Sequence, residues 1–215
     1  MKKLFLTLLI LPLTAFSFEI GSNYLGAGIN VVKIDGKIAS TSETIDGASL
    51  LLGGNYHLPI SEENKYGVDI FGGFLLANGL KSTNYEVDVN TYTIGFRPFI
   101  PFESGSFYID GQFQWGDSEF KNKVTSAKFK ASSNSFVPGI GVQYLYKNLI
   151  FNPNLHLIRA DLDGEVLGFS VGYKINETYS VGIDYSFIDY DSASLEGTSV
   201  AFEESQINFG LTYSF

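Results

Sequence analysis

The last nine residues of the chain read INFGLTYSF, Ile207 to Phe215, and they decide its architecture. Ile207, Phe209, Leu211, Tyr213 and Phe215 take every second position, with Asn208, Gly210, Thr212 and Ser214 between them. A period of two gives an extended strand one wholly apolar side. Water would leave that side uncovered at a chain end. The strand therefore lies against a soluble core, or its apolar side faces lipid and its small and polar side faces the lumen of a barrel.

The N-terminus bears on the choice. Residues 1–17, MKKLFLTLLILPLTAFS, hold Lys2 and Lys3, an apolar run from Leu4 to Leu13 and small residues at Ala15 and Ser17. This is the layout of an export signal, with cleavage expected after Ser17, and the run is too short for a membrane-spanning helix. Residues 18–215 would then form one domain. Without Lys2 and Lys3 the fourteen basic residues fall to twelve against 23 acidic, a net charge of −11, which argues against nucleic acid as a partner. There is no cysteine, so neither disulfides nor thiol chemistry enter.

Alternation like that of the last strand recurs along the chain, at Leu25–Val31, Leu50–Leu58, Tyr66–Leu76, Tyr92–Pro98, Phe107–Trp115, Phe136–Tyr146, Leu149–Leu157, Leu167–Ile175 and Tyr179–Phe187. The connections alternate between short ones, such as YKN and NET, and long ones at 35–46, 78–88, 117–133 and 190–204; 161–164 is a short member of the long class. Aromatics such as Tyr56, Tyr66, Phe107, Trp115, Tyr146, Tyr173, Tyr179 and Phe215 sit near strand ends on the apolar side, as interfacial girdles do. These features predict an all-β protein: a closed antiparallel transmembrane β-barrel of about ten strands, with eight as the alternative, short periplasmic turns and longer extracellular loops.

On the export signal and the ending Tyr213-Ser214-Phe215, the chain resembles the small outer-membrane β-barrel families, the OmpA-type, OmpX-type and porin-like single-domain barrels of the Gram-negative cell envelope. The resemblance implies an outer-membrane location and contact with outer-membrane lipid and lipopolysaccharide. It also implies an assembly signal, carried here by Tyr213 and Phe215, that the outer-membrane assembly machinery reads. A monomer is expected. His57 and His156 fall on the lumen side beside Asn55, Asn152 and Asn154, and are read as histidines satisfied by those amides rather than as catalytic groups. No His-x-Ser pair like that of outer-membrane lipases is present, no spacing suits zinc, and no cofactor is indicated. Asp189, Asp191, Glu196, Glu203 and Glu204 read as a solvated acidic loop, with divalent cations as the rival reading.

Two constellations remain. Asp69, Arg97 and Asp110 lie a few residues from short turns on neighbouring strands, so they should meet in the lumen near the periplasmic end. Gly67, Gly73, Gly95, Gly139, Gly141, Gly168, Gly172 and Gly182 share that side and should leave space there. With Thr125-Ser126 as a tight turn, Lys121 faces Lys130 and Lys123 faces Lys128, an arrangement that calls for an anion such as a lipopolysaccharide phosphate. The expected function is non-enzymatic: a narrow porin-like or constricted barrel, or else a closed structural barrel that meets partners through its extracellular loops, with an outer-membrane hydrolase as the third reading. Phe215→Asp should lower the yield of heat-modifiable protein in the outer membrane by several-fold, measured by fractionation and by gel mobility before and after boiling; unchanged insertion would remove the assembly role of Phe215.

Overall fold

In the computed structural model ten antiparallel strands close into one barrel. The structure describes residues 19–38, 41–61, 66–160, 163–195 and 198–215, and the expected export signal lies outside them. The strands are β1 (Tyr24–Ile38), β2 (Thr41–Ser61), β3 (Tyr66–Lys81), β4 (Tyr85–Phe102), β5 (Gly105–Asn122), β6 (Lys128–Tyr146), β7 (Leu149–Ile158), β8 (Gly164–Lys174), β9 (Tyr179–Leu195) and β10 (Thr198–Ser214). Each strand pairs with its sequence neighbours, and β1 pairs with β10, from Tyr24 opposite Ser214 to Ile38 opposite Val200. Closure leaves no lateral sheet edge in the membrane, which is the condition for strands to cross lipid.

The outer wall matches the expected alternation. Ile207, Phe209, Leu211, Tyr213 and Phe215 all point outward, as do Ile94, Phe96, Phe113, Trp115, Phe169 and Ile183. Their inward neighbours include Asn208, Thr212, Thr93, Gln112, Gln114, Ser170 and Asp184, all buried. Within the bilayer the barrel is thus apolar outside and polar inside.

Toward the extracellular end the pattern inverts. In β4 the outward apolar residues are Tyr92, Ile94 and Phe96, at even positions, whereas nearer the strand start Val87 and Val89 point inward between outward Glu86 and Asp88. In β10 outward Ile207 and Phe209 give way to inward Phe202, flanked by outward Glu203. β1 does the same with outward Ile29 and Val31, then inward Val32 and Ile34 beside Lys33 and Asp35. Inside this upper section Val32, Leu80, Val87, Phe120, Val137, Val166 and Ile188 are fully buried in one cluster. Spanning a bilayer takes about ten residues per tilted strand. β2 has 21 residues and β6 has 19, so the wall continues far beyond the lipid.

The long loops expected at 35–46, 78–88, 117–133 and 190–204 are therefore largely strand. Inward apolar and outward charged side chains satisfy a sheet in water as well as the opposite order satisfies it in lipid. Only β7 and β8, of 10 and 11 residues, stop near the membrane, β7 at Ile158 and β8 at Gly164.

Glu204 lies in the upper section, outside the membrane-spanning Ile207–Phe215 stretch, and is buried among apolar residues. Its Oε1 accepts a hydrogen bond from Gln206 Nε2 (2.6 Å) and its Oε2 one from the Tyr190 hydroxyl (3.3 Å). Burial raises the carboxyl from 4.5 to about 8, although both hydrogen bonds act the other way. Between those pH values the fold holds a proton that the unfolded chain releases, so stability falls as pH rises through the window and levels off above it. Urea-unfolding midpoints measured from pH 5 to 9 should show this slope in the wild type and a weaker one in Glu204→Gln; equal slopes would exclude the assignment.

Candidate functional site

The strand registers set a row of side chains that starts near the periplasmic end of the lumen at β2 and rises with strand tilt to His156, which faces Val166 of β8. His57 on β2 faces Asp69 on β3, and Asp69 faces Arg97 on β4. On the other side Asp110 of β5 faces Gly139 of β6, which faces His156 of β7. The expected Asp69–Arg97–Asp110 trio is brought together, and it sits inside a longer row that includes both histidines.

The pairing within the row differs from expectation. Arg97 Nη2 reaches Asp110 Oδ2 at 3.5 Å, and its guanidinium is clasped between the Phe71 and Tyr108 rings, 4.8 Å from each centroid. Asp69 makes its close contacts elsewhere: Oδ1 lies 3.0 Å from His57 Nδ1, and Oδ2 accepts the Gly21 N–H at 3.1 Å. Asp110 also meets His156 Nε2, at 3.0 Å. Each histidine thus places one ring nitrogen on a carboxylate, where amides of Asn55, Asn152 and Asn154 were expected, and His156 Nδ1 has no partner.

Missing side chains make these reaches possible. His156 lies across Gly139 to meet Asp110 two strands away; a Cβ on Gly139 would collide with the imidazole and would stand 2.6 Å from Asp110 Oδ1. Tyr108 likewise lies across Gly141, and its hydroxyl donates to Asn152 Oδ1 on β7 at 2.8 Å. Phe71 covers Gly95, His57 covers Gly67 and Asn154 covers Gly168. Five of the glycines expected to leave open space are in fact seats for neighbouring rings and amides.

Residues 19–23 cap the row from the periplasmic side. Ile20 packs on Phe99 and Tyr108, and its N–H donates to Gln143 Oε1 at 3.0 Å. Asn55 Nδ2 donates to the Ser22 carbonyl, the His57 N–H donates to Asn23 Oδ1, and Lys174 pairs with Glu19 at 2.6 Å. Nothing in the alternation signals this cap, because Gly21-Ser22-Asn23 reads only as turn residues before β1. In the middle of the lumen Asn30 Oδ1, Thr91 Oγ1, Thr93 Oγ1, Gln114 Oε1, Ser186 Oγ and Asn208 Oδ1 are buried without a protein partner. Such groups take their hydrogen bonds from water.

The four lysines of the 120–130 hairpin do not face one another as expected. Asn122 Oδ1 accepts the N–H groups of Val124 and Thr125, and Ser126 adopts φ 57°, so the turn spans four residues and the register moves. Lys121 now faces Lys128, and Lys130 faces Glu119. Glu119 binds Lys128 at 2.5 Å and Lys130 at 3.4 Å, Glu86 takes Lys121 at 3.6 Å, and Lys123 Nζ donates to the Ser82 carbonyl. Carboxylates of the protein supply the counter-charge, and the case for a bound anion loses its basis.

The acidic segment changes in the same way. Asp189 and Glu203 face each other on the outer wall, Glu204 is inside, and the side chain of Asp191 and all of Glu196 lie outside what is described. Among the described residues no group of three or more Asp, Glu, His or Cys side chains could hold a metal ion.

Replacing Gly139 by valine would push His156 off Asp110 and leave a buried carboxylate short of a partner. The overpacking costs about 1–3 kcal/mol, and loss of a hydrogen bond to a charged group adds about 1.5–3 kcal/mol, Arg97 remaining as the carboxylate's ion-pair partner. Gly139→Val should accordingly lower the temperature at which the folded band is lost on a gel, with Gly139→Ala between it and wild type; an unchanged transition would show that the His156–Asp110 contact contributes nothing.

Among solved structures the chain is similar to the outer membrane protease OmpT of Escherichia coli, at 8% identity and a TM-score of 0.65, covering 94% of this chain and 99% of that one. It is also similar to the transport unit of the Escherichia coli autotransporter AIDA-I, at 12% identity and 0.58, covering 100% and 98%. The translocator domain of NalP from Neisseria meningitidis follows at 7% and 0.54, covering 93% and 90%. At such identities these likenesses speak for the fold alone. A search of curated proteins finds no match. The model of the outer membrane protein beta-barrel domain matches residues 4–151, more than half of the chain, and with ten strands in place of eight the chain belongs to that family at large rather than to its OmpA-type or OmpX-type members in particular.

Proposed function

We propose that this protein is a closed, non-enzymatic outer-membrane barrel that acts through its extracellular extension. The observation that carries the reading is the apolar layer across the upper lumen, where Val32, Leu80, Val87, Phe120, Val137, Val166 and Ile188 pack at 0% exposure. A hydrated ion crossing that layer would shed its water among side chains that offer nothing in return. The Arg97 row and the residue 19–23 cap add a second closure at the other end. The porin-like reading is left with only the hydrated middle layer.

The hydrolase reading has the two Asp–His pairs in its favour. Against it, His156 Nδ1 has no hydrogen-bond partner, so no hydroxyl is poised on its free side, and the imidazole is buried inside the lumen. In the proposed reading the outward apolar band sits in lipid and lipopolysaccharide, and the assembly machinery reads the Tyr213–Phe215 ending.

Planar-bilayer recording tests the proposal. Wild type should show no steady single-channel steps in 1 M KCl, and Arg97→Ala should stay silent as well, because the apolar layer remains. Steady current through the wild-type protein would overturn the proposal in favour of the constricted-porin reading.

A further inference from the structure

The rim of the barrel is notched. β6 runs from Lys128 to Tyr146, but its partner β7 ends at Ile158, and their last contact is the bridge in which Phe136 and Arg159 exchange both backbone hydrogen bonds. Beyond it, residues 128–135 pair only with β5, from Lys121 opposite Lys128 to Gln114 opposite Ser135. Among the described residues nothing pairs with the other edge of this segment. On the far side of the notch β8 begins at Gly164, opposite Tyr190, while β9 continues to Leu195. The gap is two strands wide.

The orientation of the free groups follows from the bridge. Phe136 directs its N–H and C=O toward β7, and the pairing of 128–135 with β5 carries no register shift, so every second residue does the same. Asn134, Ser132 and Lys130 thus present their backbone donors and acceptors to the notch. Eight extended residues make a free edge about 26 Å long. Their outward side chains lie at or above the level of Trp115, which faces Asn134, so the edge stands in water rather than in lipid.

Free edges are usually blunted by a proline, a bulge, a cover or projecting lysines. Residues 128–135 hold no proline and no bulge. Lys128 and Lys130 are drawn back onto Glu119 of β5, away from the open side. Below the notch lies the apolar interior, with Ala131 of β6 and Ile158 at the end of β7 both buried in the upper cluster.

We propose that this edge is a strand-addition site for an extended segment of a partner polypeptide, which pairs antiparallel with residues 128–135 of β6 in line with β7. Backbone hydrogen bonds to Lys130, Ser132 and Asn134 give the pairing, and alternate side chains give the preference. Residues of the segment that turn inward continue the apolar cluster over Ala131 and Ile158. Those that turn outward stand beside Lys128 and Lys130, where carboxylates fit. The segment recognised is therefore one of alternating apolar and acidic residues. This deepens the proposed function and rests on its reading of the extracellular extension as the working surface.

The test uses the full-length protein in nanodiscs and a fluorescent octapeptide of alternating valine and glutamate. Anisotropy should show saturable binding, lost at least tenfold when alternate peptide nitrogens are methylated and at least tenfold in Ser132→Pro. That substitution removes an N–H facing the notch and leaves the β5 ladder whole. Hydrogen exchange should find the amides of Lys130, Ser132 and Asn134 fast in the free protein and slowed by the peptide. No saturable binding to wild type, binding indifferent to N-methylation, or amides already protected in the free protein would each overturn the site. Should Ser132→Pro fail to fold, the methylated peptide and the exchange measurement still decide. A barrel that fails here yet conducts no current keeps its proposed function and loses only this partner.

Discussion

The medium outside the barrel changes from hydrocarbon to water part-way along its strands, and the other features of the fold answer to that change. A β-strand has two sides and one alternation, so whichever side meets lipid must be apolar. The opposite side in the bilayer is free to be polar, and here it carries Asp69, Arg97, Asp110, Gln112, Gln114 and Asn208. Past the lipid surface the same strands meet water outside, and their apolar residues move to the inside as in any water-soluble sheet. The chain thus builds two barrels end to end on one continuous hydrogen-bond network, one turned inside out relative to the other.

Each half solves its interior differently. Among the described residues the centre of the upper half is hydrocarbon, and its buried carboxyl, Glu204, is met by the two donors Gln206 and Tyr190. The lower half must satisfy charged groups far from bulk water, and it does so by letting side chains cross strands. Gly139 lets His156 reach Asp110, Gly141 lets Tyr108 reach Asn152, and Gly95 takes the Phe71 ring that covers Arg97. A glycine in this lumen is consequently part of a unit with the side chain on one neighbour and the group which that side chain contacts, on three strands at Gly139 and Gly141 and on two at Gly95.

How much of this could be read from residues alone follows from the same physics. The ten strands were legible because the lipid-facing alternation is long and regular, and short turns fixed the depth of Asp69, Arg97 and Asp110 closely enough to place them together. The upper strands look like loops in the sequence because the parity of their apolar residues switches, even at Tyr92 and Ile94 but odd at Val87 and Val89. A search for one period sees that switch as a break. The partner of His156 is not legible in the sequence because it lies on β5, two strands away, and only the empty position at Gly139 makes the contact possible. The lysine register depended on a single side chain, Asn122, closing a four-residue turn in place of a two-residue one. The cap at 19–23 rests on contacts with Gln143 and Asp69, which no local pattern encodes.

Those contacts also set an order of events. The Ile20 amide bonds to a side chain 123 residues away, and Ile20 packs between residues of β4 and β5. Such a contact brings no return until β6 is in place, because the long intervening chain must first be ordered. Residues 19–23, each bonded to a different part of the wall, are therefore among the last to settle as the barrel forms. The cap thus ties the start of the described chain to β2, β3, β6 and β8 at once, and its closing marks the end of barrel formation.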